Sequence, residues 1–316
     1  MANYIVRRLL QVIPTVLLST IFVFVMMNLV RGDAVDIYFG LSEGRTPEAE
    51  QALREQLGID KPVYMQYIHW LGRILKGDFG ESWRFRQPVI EMIGKRLMLN
   101  LELWVIAAII SIVFSSIIGV YTAAHQNGIV DQVVRFMALV FLSAPFYWVA
   151  MIVLVVLSKG FHWMPPLIYK SAWEDPKTHF QMIMIPAVLW GISSIFSFSR
   201  YVRNCVLDVL RSNFVRAARA KGVSQTRALY KHTLVNAAGP LATIVALGIG
   251  QVVGGMLFME IVFNLPGMGR LFIEAIYQRD YPVIMTISLL ISVTFVIVNL
   301  IADLTYGLLD PRIRYD

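Results

Sequence analysis

The chain alternates between long uncharged blocks and short polar segments. A helical run of roughly 20 apolar residues covers the roughly 30 Å hydrocarbon core of a bilayer. Six windows reach that length: Leu9–Val30, Leu103–Ala124, Phe136–Ser158, His179–Ser199, Val235–Met259 and Pro282–Ala302, the last extending toward Leu309. They are too long and too evenly apolar for the alternating pattern of an outer-membrane barrel. In lipid each backbone N–H and C=O must find a partner within its own segment, so each window is predicted as a helix. Leu9–Val30 has 22 residues without a charge, and no small-x-small cleavage site follows. It is expected to stay as a first spanning helix rather than leave as a signal peptide. Pro14, Pro145, Pro186 and Pro240 lie in or beside windows and predict kinks or helix starts.

The polar segments divide the chain. Residues 1–98 hold the first window and a long loop, 99–309 a five-helix core, and 310–316 a tail. Within the loop, Thr46-Pro47-Glu48 reads as a helix start followed by an apolar stripe at Leu53 and Leu57. Tyr64, Tyr67, Trp70, Leu71 and Leu75 fall at helical spacing, and Gly32-Asp33 and Gly77-Asp78 read as turns. The loop suits a small cap over one mouth of the bundle, a docking surface for an external partner, or both. Residues 213–235 read as two short helices, Phe214–Lys221 and Gln225–His232, with Gly222 as a break and Ser224 as an N-cap. This excursion could anchor to anionic lipid or pass force from a cytoplasmic motor into the bundle.

Composition agrees with the blocks. Hydrophobic residues make up 57% and charged residues 16%, against about 25% charged in ordinary globular domains; mean hydropathy is +0.62. The net charge of +7 forms no continuous basic stretch, and nucleic acid is not expected as a partner. Its use is orientation. Arg200, Arg203, Arg211, Arg216, Arg219, Lys221, Arg227 and Lys231 face a single acid, Asp208, between the fourth and fifth windows. Lys and Arg in short flanks mark the cytoplasmic side, so with six helices both termini are expected in the cytoplasm. The loop from Arg31 to Arg96 is neutral, with ten basic and ten acidic residues.

Catalytic chemistry is not legible. There is no phosphate-binding GxxxxGK[ST] loop, no HExxH and no GxSxG. The single cysteine, Cys205, reads as a bland small residue, and the five histidines are scattered, so neither a bound metal nor a cofactor is expected in this chain. Acids near windows are few; Glu102 and Asp303 read as interfacial or helix-end groups. Such scarcity favours energy supplied by a partner over an ion-coupled carrier. A non-transporting membrane scaffold is the other alternative. In the fifth window Gly248, Gly250, Gly254, Gly255 and the neighbouring Gln251 are candidates for close helix packing or for lining a path, with Gly250 and Gly254 forming a GxxxG pair.

Particular segments resemble a known family. RAARAKG at Arg216–Gly222 is similar to the Glu-Ala-Ala coupling motif in permeases of binding-protein-dependent ABC importers. Ala217, Ala218 and Gly222 match that motif, and Arg216 stands where glutamate is usual. His232, Leu234, Asn236 and Pro240 match the His-x-Leu-x-Asn-x-x-x-Pro continuation of the peptide/nickel branch, with Val235 in place of a proline. Ile5–Phe24, Leu57–Ser82, EIVFNLPGMGR at Glu260–Arg270, RDYPVI at Arg279–Ile284 and Asn299–Tyr315 resemble the B-type subunit of the dipeptide/oligopeptide group, with Ala34 where proline is common. The resemblance implies a type I ABC importer permease fold of six transmembrane helices in the bacterial inner membrane. It implies a second permease, two ATPase subunits that carry ATP and Mg, an extracytoplasmic solute-binding protein and surrounding membrane lipid as partners. Peptide is the favoured solute, with nickel, glutathione or oligosaccharide as alternatives. Arg216, Ala217, Ala218, Gly222, His232 and Leu234 would couple to the ATPase.

Overall fold

The computed structural model describes residues 2–29, 35, 39, 46–210, 248–250 and 252–309. These residues are helical wherever they are regular. The elements are α1 (Ala2–Leu29), α2 (Pro47–Leu57), α3 (Val63–Ile74), α4 (Val89–Ala124), α5 (Ile129–Ser143), α6 (Phe146–Phe161), α7 (Pro176–Leu210), α8 (Leu257–Val262), α9 (Met268–Gln278) and α10 (Tyr281–Leu309). Residues 248–250 and 252–254 are helical as well. No strand occurs among the described residues, where an isolated bridge between Glu81 and Pro88 stands outside the helices.

Four helices are long and apolar enough to cross a membrane, at Leu10–Leu29, Val89–Ala124, Pro176–Asp208 and Tyr281–Ile301. The pair α5–α6 makes a fifth if counted as one broken span. The protein is therefore an all-α, multi-pass membrane protein with four to five described spans.

Several windows are corrected. Phe136–Ser158 is not one straight helix: α5 and α6 meet at a bend of 102°. Ala144 is extended, at φ −77° and ψ 129°, because the following Pro145 disfavours the helical conformation before it and then starts α6. The second and fourth windows are the middles of longer helices. The 36 residues of α4 extend about 54 Å at 1.5 Å per residue, well beyond the hydrocarbon core. Helix α7 runs on to Leu210 and so carries Arg200 and Arg203, which lie beyond the fourth window. The fifth window is interrupted at Gly255, whose φ of +77° ends one helical piece before α8 begins. Pro14 and Pro186 lie inside α1 and α7.

Local chemistry sets the loop helices as the sequence predicts. The Thr46 hydroxyl accepts the Ala49 N–H at 3.2 Å, Pro47 occupies the first turn, and Gly58 closes α2 at φ +71°. Helix α3 turns Tyr67 toward α1, where its hydroxyl pairs with that of Thr20 at 2.9 Å. At the start of α7, Asp175 accepts the Thr178 hydroxyl at 2.7 Å and its amide at 3.1 Å. These two bonds pull the Asp175 carboxyl down to about 2.

Two pairings order the bundle. Helices α1 and α10 join through the Ser19 and Ser292 hydroxyls at 2.7 Å. Helices α4 and α7 meet along a stripe of small residues, Ala107, Ser111, Ser115 and Gly119, all buried. The Ser111 hydroxyl lies 2.6 Å from the Ala107 carbonyl and 3.1 Å from that of Gly191 across the seam. A Cβ at Gly119 would lie 2.6 Å from Val202 Cβ and 2.9 Å from the Ser199 carbonyl oxygen; at Gly191 it would meet Ile110 at 2.9 Å. Lipid tails are as apolar as leucine, so such close packing and the bonds it permits hold the helices together.

Gly119→Val should therefore force the seam apart and lower stability by about 1–3 kcal/mol, the usual cost of overpacking. Gly94, on the same helix, has open space around it. Gly94→Ala should instead gain about 0.5–1 kcal/mol from helix entropy. Thermal unfolding of the two variants in detergent checks the contrast, and equal shifts would contradict the seam.

Candidate functional site

The bend between α5 and α6 opens a cavity of about 470 Å³ against α4 and α7. Phe141 and Phe146 flank the break, Trp104 and Ser111 come from α4, and Gly248 and Met256 close the far wall. Helix α7 contributes Trp190, Ser193, Ser194, Ser197 and Phe198. The serines at 193 and 197 lie one turn apart and so share a face. Ser193 donates to the Trp190 carbonyl at 2.8 Å, and half-buried Ser194 and Ser197 add hydroxyls to the wall. The described lining is aromatic and hydroxylated and carries no charge. Gly248 is small for a reason: a Cβ there would lie 2.7 Å from the Trp104 indole nitrogen.

The other glycines of this region differ in kind. No described atom lies within 4 Å of a Cβ added at Gly250 or Gly254. Gly255, in contrast, sits where a Cβ would strike the backbone of Gly269. It closes the turn into α8 and is packed inside the chain. Gln251 and the coupling candidates Arg216, Ala217, Ala218, Gly222, His232 and Leu234 lie outside the described residues.

One end of the bundle, the end that carries residues 46–88, is held by buried carboxylates that the sequence reading gave no role. Glu260 on α8 is 1% exposed. It accepts the N–H groups of Met256 at 2.9 Å, Gly269 at 3.3 Å and Arg270 at 2.7 Å, and the Asn100 amide at 3.2 Å. Three of these donors belong to α4 and the first turn of α9, so the carboxylate occupies the positive end of a helix. A Cβ at Gly267 would lie 2.2 Å from the carboxyl carbon of Glu260. The segment EIVFNLPGMGR is thus a loop folded around its own glutamate.

Asp280, also 1% exposed, does the same for the long loop. It accepts the Ser82 hydroxyl, the Trp83 N–H at 3.2 Å and the Arg84 N–H at 3.3 Å. Its backbone carbonyl starts α10 by accepting the Ile284 N–H at 3.0 Å. Glu102 pairs with His179 Nε2 at 2.9 Å, and His179 Nδ1 faces the Lys170 carbonyl at 3.0 Å. This pair ties α4 to α7 near that end. Of the other acid singled out from sequence, Asp303, no side-chain position is described.

At the far end, Asp131 on α5 is 1% exposed and holds Arg203 of α7 by contacts of 2.7 and 2.9 Å. It also accepts the Asn127 N–H at 2.9 Å. Arg203, one of the basic residues counted from sequence between the fourth and fifth windows, is therefore half of a largely buried ion pair. Cys205 is half-buried on the same helix. Among the described residues no group of three or more metal-ligating side chains converges.

Removal of the Glu260 carboxylate should be costly. Glu260→Ala leaves three backbone N–H groups without an acceptor in a dry site, and each unmatched donor costs about 1–3 kcal/mol. Glu260→Gln keeps one acceptor oxygen and should lose less. Thermal stability of the two purified variants orders them, and equal, small losses would show that the carboxylate is not the hub.

The chain matches known sequences along its whole length. Residues 115–315 match the family described as binding-protein-dependent transport system inner membrane component, and residues 1–104 match the N-terminal region of such membrane components. The oligopeptide transport system permease protein AppB of Bacillus subtilis is 37% identical over 326 aligned positions, covering 100% of both chains. The glutathione transport system permease protein GsiC of Salmonella typhimurium is 35% identical over 319 positions, again covering 100% of both. A probable peptide ABC transporter permease of Sinorhizobium fredii is 34% identical over 315 positions with the same coverage. These matches, together with the apolar spans, show that the chain belongs to the binding-protein-dependent transport system inner membrane component family, as a permease subunit of an ABC importer.

Proposed function

We propose that this permease forms half of a path for peptides delivered by an extracytoplasmic solute-binding protein. The cavity at the α5–α6 bend carries the reading. Its described lining offers indole, phenyl and hydroxyl groups and no carboxylate, imidazole or thiolate. Such a surface tolerates varied side chains and exchanges hydrogen bonds with amides without fixing a charge. It suits a peptide better than a free nickel ion, which would favour imidazole or carboxylate ligands. Glutathione is itself a short peptide and would fit the same wall, so the relatives' names and the cavity point to one solute class.

In this reading the chain has six spanning helices with both termini in the cytoplasm, the count being completed by the fifth window, Val235–Met259. Residues 1–98 form the first helix and the extracytoplasmic loop, 99–309 the permease core, and 310–316 a cytoplasmic tail. A second permease completes the pore, and the open flanks of Gly250 and Gly254 suit its close approach or the solute path. Residues 213–235 dock on one of two ATPase subunits, which hold ATP and Mg. ATP binding moves these docking helices, the pore opens outward to receive solute, and hydrolysis resets it inward. No covalent change to the solute is needed.

Two substitutions separate path from motor. Ser194→Trp should fill the cavity, so uptake of labelled peptide falls to background while the complex still assembles and hydrolyses ATP. Uptake at the unmodified rate would remove the cavity from the path. Gly222→Val should leave assembly intact but uncouple hydrolysis from the loaded binding protein, since a branched side chain strains the break between the docking helices. The check is substrate-stimulated ATPase activity in proteoliposomes, beside Arg219→Gln/Lys221→Gln. A lipid-anchoring role for the segment would reverse the pattern, with the charge variant impaired and the glycine variant normal.

A further inference from the structure

We infer that α3 is a membrane-embedded helix whose outward face rests on lipid acyl chains, in the leaflet on the side of residues 46–88. Depth comes first. The Ser19–Ser292 bond joins the middles of two spans, since the uncharged runs between Arg8 and Arg31 and between Asp280 and Asp303 bracket those serines nearly symmetrically. That bond marks the membrane midplane. The Tyr67 hydroxyl of α3 reaches Thr20, the next residue along α1, at 2.9 Å. The Tyr67 ring lies 5.5 Å from Phe24, and Trp70 lies 5.7 Å from Tyr67. Phe24 is five residues beyond Ser19, about 7.5 Å along the helix axis. The hydrocarbon half-thickness is about 15 Å. Helix α3 therefore packs on the buried half of α1, at acyl-chain level.

The sequence of α3 suits that depth. From Val63 to Gly72 there is no Asp, Glu, Lys or Arg, while Asp60 and Lys61 precede the helix, Arg73 lies in its last turn, and Lys76 and Asp78 follow. With its charges held to the two ends, the middle of the helix can lie at acyl-chain level without burying a charge. One face carries Tyr67 and Trp70 against Phe24 and Met285. The other leaves Tyr64 66%, Ile68 60% and Leu75 80% exposed. On α1, Leu18 and Phe22 are likewise bare. Lipid is the occupant that covers both without a further partner. The polar helix α2 remains as the part of the loop left to water.

The experiment uses the assembled transporter in vesicles of phosphatidylethanolamine and phosphatidylglycerol. Cys205→Ser removes the native thiol, and a nitroxide is attached at Ile68→Cys, at Phe22→Cys as a lipid reference, or at Ala52→Cys on exposed α2 as a water reference. Relaxation by oxygen is compared with relaxation by a water-soluble nickel chelate. The Ile68 ratio should match that of Phe22 and exceed that of Ala52 several-fold. A ratio equal to that of Ala52 overturns the inference. So does shielding from both relaxants that is relieved when the solute-binding protein is withdrawn, which would make this face a protein-docking surface. Met65→Cys, on the same side of α3, gives the deciding value if the Ile68 variant does not assemble.

Discussion

The rest of the structure depends on the close approach of α4 and α7. Within a bilayer, apolar surface alone does not draw helices together, because lipid covers it equally well. Contact must come from shape and from hydrogen bonds. The stripe Ala107, Ser111, Ser115 and Gly119 supplies the shape, and the Ser111 bond to the Gly191 carbonyl supplies one of the bonds. With these two long helices fixed, α5 folds against α7, and the bend at Pro145 leaves the cavity between them. Non-helical backbone at membrane depth is tolerable where it borders a cavity, and the Ser143–Pro145 break does so.

The same economy governs the charged groups. Isolated charges in a low-dielectric interior are costly, so the buried acids of this chain are each surrounded by donors. Glu260 and Asp280 accept mainly backbone N–H groups. Each converts an irregular segment, which would otherwise leave amides unpaired, into a fixed plug at the loop end of the bundle. Asp131 uses a different solution, a guanidinium at 2.7 Å. None of the three projects its carboxylate into the cavity, which keeps its described wall neutral.

Much of this was legible before the structure and some was not, for physical reasons. Four spans, and a fifth if α5–α6 counts as one, were legible because a helix in lipid needs an uninterrupted apolar run. The Thr46-Pro47-Glu48 start of α2 was legible because capping is local chemistry. The bend at Pro145 was half legible: the proline announced a break, but only the fold around it decides between a shallow kink and 102°. The acids were opaque. Glu260 and Asp280 stood in segments that resembled the family, yet resemblance assigns no partner, and their donors come from residues as distant as Asn100 and Ser82. A charge beside Pro and Gly in an otherwise apolar stretch was the available signal. The small-residue seam was not legible, since no GxxxG pair marks it. The seam uses serine and alanine as well as glycine, and Gly250 and Gly254 meet no described atom at Cβ distance.

The distribution of these contacts constrains how the cavity can change. Helices α4 and α7 are joined near one end by Glu102 and His179 and in the middle by Ser111 and Gly191, and α7 is tied to α5 at the far end by Asp131 and Arg203. Val120, Ala123, Val202 and Val206 pack between α4 and α7 beside that last pair. Sliding α4 along α7 would break bonds at two levels at once and drive Val202 into the backbone at Gly119. Among the described residues the α5–α6 wall has no comparable tie across its break, where Ala144 is extended and Pro145 donates nothing. A displacement applied at the α5–α7 ion pair would therefore carry α7 together with α4, and the extended backbone at Ala144 is the place where a hinge, rather than shear of the seam, would alter the volume at Phe141 and Phe146.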